Sequence, residues 1–144
     1  MLSHCGRAFS CGSNSKGQLG LGDQGDQRDR HVPTVIATLE SSAVVQVVAG
    51  CSHSLFVSVS GQVYTCGYSY FGQLGLGPKA KKNILLPTAV QHLQSIFIVQ
   101  VVAGAYHSLF LAVCGAVFSC GYGRIGNLES RARRFSKTGF AQEN

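Results

Sequence analysis

Charge is the scarcest commodity in this 144-residue chain. Asp, Glu, Lys and Arg together make up 12% of it, and only six residues are acidic. That is about half the charged share of an ordinary soluble domain, so much of its surface is expected to lie under something else. Six carboxylates scattered singly place no paired acids for hydrolytic work. Tryptophan is absent and methionine occurs once. No run of about 18 apolar residues exists, so no spanning helix is expected. The opening Met1-Leu2-Ser3-His4-Cys5-Gly6 lacks the charged and apolar regions of a secretory signal. An intracellular setting, cytoplasmic or nuclear, is therefore expected. No C-x-x-C pair occurs among the six cysteines. No stretch of helical periodicity precedes the C-terminal tail.

What the chain has in quantity is glycine, eighteen residues, and apolar side chains, 45%. The glycines are not scattered. Gly17-Gln18-Leu19-Gly20-Leu21-Gly22 returns letter for letter as Gly72-Gln73-Leu74-Gly75-Leu76-Gly77. Val45-Gln46-Val47-Val48-Ala49-Gly50 returns as Val99-Gln100-Val101-Val102-Ala103-Gly104, and each is followed by His-Ser-Leu-Phe, at His53 and His107. Gly6 to Gly12, Gly61 to Gly67 and Gly115 to Gly121 form a third matching set. A proline, Pro33 or Pro87, follows in two copies. One unit with a period of 54–55 residues is thus written a little over twice.

The unit reads as β. Val44 to Ala49 is a β-branched run ended by glycine, without clean alternation, as suits a strand covered on both faces. His53 to Val59 and Gln62 to Cys66 are strands joined through Ser60-Gly61. Three or four short strands in about 50 residues is the size of a propeller blade. The fold expected is all-β: a partial β-propeller of antiparallel blades, incomplete at both ends. Residues 1–126 carry the repeats. Residues 127–144 match nothing in the unit and are expected to be a disordered basic tail. Stacked blades usually need about three units for stability, so the chain is expected to be a fragment or short form of a larger protein.

The pattern resembles the repeat of the regulator of chromosome condensation family, whose unit runs A-G-x-x-H-S-L, G-x-V-Y-x-W-G, G-Q-L-G. Here it stands as Ala49 to Leu55, Gly61 to Gly67 and Gly72 to Gly75. Cys11, Cys66 and Cys120 replace the tryptophan that the family often has. WD repeats fit less well, lacking their Trp-Asp pair here, and kelch repeats lack their Gly-Gly pair. The resemblance implies a propeller, typically of seven blades, for which the chain is too short. It implies a non-enzymatic scaffold for a protein partner. The alternative it carries is guanine-nucleotide exchange on a small GTPase with nucleosome or nucleic-acid contact. Light sensing, known in a plant member, works through tryptophan and is set aside.

The remaining motifs have structural readings. Gly20 to Gly25 and Gly121 to Gly126 match G-x-G-x-x-G, but Asp26 to Pro33 is a poor helix start, so no phosphate cradle follows. The glycines are read as turn residues needing positive φ or close approach. Cys11, Cys66 and Cys120 are read as small buried apolar residues, and Cys5 and Cys114 as turn residues. His53 and His107 each adjoin a serine, but neighbours on a strand point to opposite faces. A buried histidine bonded to backbone is expected, not a catalytic one. No catalytic residue, cofactor or metal ligand is assigned. Lys79 to Lys82 and Arg131 to Lys137 are read as a solvated loop and tail, with nuclear import or an acidic contact as the functional alternative. Arg133-Arg134-Phe135-Ser136 matches a basic-directed kinase site at Ser136.

Overall fold

The computed structural model describes residues 1–22, 29–78, 80 and 82–122, and the backbone of 136–138. A two-stranded ribbon pairs β1 (Phe9–Gly12) with β2 (Arg30–Val35). A four-stranded meander follows: β3 (Val44–Ala49), β4 (His53–Ser58), β5 (Val63–Gly67) and β6 (Ile84–Ala89). A second meander repeats it: β7 (Ile98–Ala103), β8 (His107–Ala112), β9 (Val117–Gly121) and β10 (Ser136–Thr138). All pairings are antiparallel. The propeller-blade architecture read from the period is present, with the register copied. Val47 faces Phe56 and Val48 faces Leu55 in one sheet; Val101 faces Phe110 and Val102 faces Leu109 in the other. The irregularity between Val44 and Gln46 returns between Ile98 and Gln100.

Sheets stack face on face because β4 and β5 carry apolar residues on both sides. Leu55 and Phe56 point opposite ways on β4, and both are buried. Phe56 packs back toward the ribbon with Ala8, Ile36, Leu39, Val44 and Cys66. Leu55 packs forward with Val57, Val63, Ile98, Val101 and Phe110 of the next sheet. Short 3-10 turns at Ala37–Leu39 and Gln91–Leu93 insert Leu39 and Leu93 into these cores. The expectation that the Val44–Ala49 strand is covered on both faces is corrected: Val45 is 55% exposed, and two-sided cover belongs to β4 and β5. The strand after each GQLGLG loop, β2 in the ribbon and β6 in the first meander, carries Pro33 or Pro87; β2 is largely exposed and β6 half-buried. Proline cannot donate to a ladder, so it suits an outer edge and blunts it against further pairing.

Ser136–Thr138 lies as a strand against Val117–Ser119 within the segment read as a basic tail. The rest of residues 127–144 lies outside the described residues, as do Lys79, Lys81 and the side chain of Ser136.

Candidate protein-interaction rim

The repeated letters build the seam between blades. Ser54 Oγ donates to the Gln18 carbonyl at 2.7 Å, and Cys66 Sγ reaches the same oxygen at 3.5 Å. One blade on, Ser108 Oγ donates to the Gln73 carbonyl at 2.7 Å, and Cys120 Sγ lies at 3.3 Å from it. The glutamine of each GQLG loop thus offers both lone pairs to the Ser and Cys of the following blade. Gln46 crosses the seam in the same sense, giving Nε2–H to the Val101 carbonyl and taking Val101 N–H on Oε1, both at 3.0 Å. The GQLGLG glycines all have positive φ, from 68° at Gly75 to 86° at Gly77. They are turn chemistry, as their repetition suggested.

His53 completes the seam. Its Nε2 is 2.9 Å from Ser108 Oγ. The Ser108 proton is committed to Gln73, so the hydroxyl accepts from Nε2–H, and Nδ1 is left bare. That atom has no partner among the described residues. Burial and the neighbouring His107 hold the pKa down at about 4, so the ring is neutral at pH 7. The expected backbone partner is therefore corrected, for His53, to a serine hydroxyl, itself bonded to backbone; His107, expected to be buried like it, is exposed. Gly50 makes room for this ring: a Cβ there would run into His53 and come within 2.7 Å of the Gly104 carbonyl. Ser54 points to the preceding blade and His53 to the following one, so the pair has no catalytic geometry. Burial raises the thiols of Cys66 and Cys120 to about 12. Of the three cysteines expected to be buried, Cys66 is, Cys120 is partly so, and Cys11 is exposed, because no sheet covers its side of the ribbon among the described residues. No group of three His, Cys, Asp or Glu able to hold a metal is found among the described residues. Nor is there, among them, a helix long and apolar enough to cross a membrane.

With the seam accounting for the repeated residues, function falls to positions where the copies differ. Gly67 to Gly72 reads Gly-Tyr-Ser-Tyr-Phe-Gly where the preceding copy reads Gly-Ser-Asn-Ser-Lys-Gly, Gly12 to Gly17. Tyr106 stands where the middle copy has Ser52, and Tyr122, like Tyr68, where the first copy has Ser13. These rings meet on one rim. Phe71 is at the centre, 5.8 Å from Tyr68, 5.2 Å from Tyr106 and 5.2 Å from Tyr122 between centroids. Tyr70 stacks on Tyr68 at 5.2 Å. Lys16 Nζ sits 5.7 Å from the Tyr68 centroid. Tyr70, Phe71, Tyr106 and Tyr122 are all exposed. Their backbone is pinned: Tyr68 N–H bonds to Ser52 O and Tyr122 N–H to Tyr106 O, both at 2.8 Å. Phe71 N–H bonds to Gln73 Oε1 at 3.1 Å. Sequence reading missed this patch; comparing the copies for where they disagree would have found it.

The chain matches the profile of the "Regulator of chromosome condensation (RCC1) repeat" over residues 5–57 and 60–111. It is 38% identical over 132 residues to the human "Probable E3 ubiquitin-protein ligase HERC6", covering 92% of this chain and 13% of that protein. It is 35% identical over 120 residues to the "Ultraviolet-B receptor UVR8" of Arabidopsis thaliana, covering 83% of this chain and 26% of the receptor. The chain therefore spans a small part of the length of these relatives. Among solved structures, human WBSCR16 superposes with a TM-score of 0.79 at 25% identity, over 94% of this chain and 34% of that one. Yeast RCC1 (Prp20), solved with Kap60, superposes with a TM-score of 0.83 at 24% identity over 97% of this chain and 34% of that one, a likeness of fold.

Proposed function

Since the chain belongs to the regulator of chromosome condensation repeat family, we propose that it is a non-enzymatic protein-interaction module, part of a larger RCC1-like scaffold acting in the cytoplasm or nucleus. The observation that carries this reading is the cluster of exposed Tyr70, Phe71, Tyr106 and Tyr122 around half-buried Tyr68 on a rigid rim. Aromatic side chains offer large contact area at small entropic cost, and contiguous exposed apolar patches mark interaction sites. The histidines, serines and cysteines that could do chemistry are instead spent in the seam or stand apart at turns.

The experiment is affinity purification from cells with the wild-type chain and with a Phe71→Ala/Tyr106→Ser variant, beside a nucleotide-release assay on co-purifying small GTPases. A defined protein complex that depends on the rim, without faster nucleotide release, supports the module. Accelerated release would establish the alternative, exchange on a small GTPase. The absence of any rim-dependent complex would overturn the reading.

A further inference from the structure

We infer that the aromatic rim binds an acidic linear segment of a partner protein, with an apolar side chain of that segment seated against Phe71. The inference rests on the interaction-module reading and specifies its ligand. Three observations support it. First, the rings are not required by the fold: Tyr68, Tyr70 and Phe71 stand where the first copy has Ser13, Ser15 and Lys16, and Tyr106 stands where the middle copy has Ser52. Second, Phe71 meets Tyr106 at an interplanar angle of 67° and Tyr68 at 69°. Phe71 is thus walled by edge-on and tilted rings, Tyr122 lying at 41° to it. The stacked pair, Tyr68 and Tyr70 at 23°, turns its faces to each other, so these rings offer no row of open faces on which successive bases could stack. Third, the charge at the rim is positive. The Lys16 ammonium lies over Tyr68 and occupies the position that a cationic ligand would need. Of the two carboxylates among the described residues, Glu40 pairs with Arg7 at 2.8 Å, and Asp29 accepts the Asn14 N–H at 3.3 Å. Lys16 is the charge that lies over the rings themselves, and it would attract an anion.

The test is selection of a displayed random dodecapeptide library on the immobilised chain, followed by affinity measurement of the enriched peptides as synthetic molecules. The variants are Tyr106→Ser and Tyr68→Ser, each installing the residue of the equivalent place in the other copy, and Lys16→Glu. A labelled oligo-dT strand is the competing probe. Enriched peptides are expected to be net acidic with one aromatic or large aliphatic anchor. Tyr106→Ser should weaken them about tenfold or more. Lys16→Glu should weaken them several-fold, with a loss that shrinks as salt rises. Each variant must keep the wild-type circular dichroism spectrum. Peptides without acidic bias, or preferential binding of oligo-dT, would overturn the inference and leave the module reading in place. Acidic peptides that bind all variants equally would place the site elsewhere and overturn it too. A library that enriches nothing overturns the linear-segment inference. The module reading falls only if the rim-dependent complex in cells is also missing.

Discussion

Replacing Leu55 by alanine, and separately Leu109, perturbs the same residue of the same motif in two environments. Leu55 is fully buried, with 0% exposure, between two blades, while Leu109 is 37% exposed. Leu55→Ala removes a side chain from contact with the Val57, Val63, Ile98 and Val101 cluster and leaves a cavity that stacked sheets cannot readily close. The expected loss is about 3 kcal/mol, within the usual range for buried leucine. Leu109→Ala removes partly hydrated surface and opens a site that water already reaches, so about 1 kcal/mol is expected. Urea unfolding followed by circular dichroism reads both. At a slope of about 1.5 kcal/mol per molar, the midpoint should fall by about 2 M for Leu55→Ala and about 0.7 M for Leu109→Ala. Sedimentation at the same concentration establishes whether the chain is monomeric. Equal losses in a monomer, or a larger loss at Leu109, would refute the idea that blade stacking sets the difference between the two leucines.

Other consequences are open to direct measurement. In the unfolded chain His53 takes up a proton near pH 6.5, but in the folded chain only near pH 4. The unfolded state therefore binds more protons between those values, and stability should fall by up to about 3 kcal/mol as pH drops from 6.5 to 4. A urea midpoint that stays flat over that window in wild type, or that varies as much in His53→Gln, would contradict this. Gly50→Ala forces a methyl group against the His53 ring and the Gly104 carbonyl, and should cost more than about 2 kcal/mol, seen as a lowered Tm. Thiol mapping with iodoacetamide at pH 8 should label the exposed Cys5, Cys11, Cys51 and Cys114 well before Cys66 and Cys120. Cys5 should lead, since bonds from Ser3 and Arg7 lower its pKa; early labelling of Cys66 would show that the seam opens.

Much of this architecture is written in the period. A 54–55 residue repeat, glycine-ended apolar runs and the His-Ser step located β3 to β5 and their turns, because local geometry decides those features. The fourth strand was harder to see. Ile84 to Ala89 is half-buried, and Pro87 interrupts its short Ile-Leu-Leu run, so the segment does not read as a strand. The seam was invisible for a different reason: its acceptors are the backbone carbonyls of Gln18 and Gln73, which no side-chain pattern announces. The aromatic rim assembles from three segments of two copies, so it exists only after folding. Tyr106 alone in the sequence is one aromatic residue near a turn.

The Gln73–Ser108 bond joins unlike surfaces: a loop carbonyl on one blade, a strand hydroxyl on the next. Such a contact has polarity, like a plug and its socket. Two copies cannot satisfy it by turning to face one another, so a symmetric pair through this seam is excluded. Units joined this way continue in one sense until the rotation closes a circle, or they extend without end. For anyone building with this unit, order is conserved and content is free. A copy can be exchanged whole if its socket side carries His, Gln and the GQLG carbonyl and its plug side carries Ser and Cys. The residues at its rim can then be rewritten without touching the join.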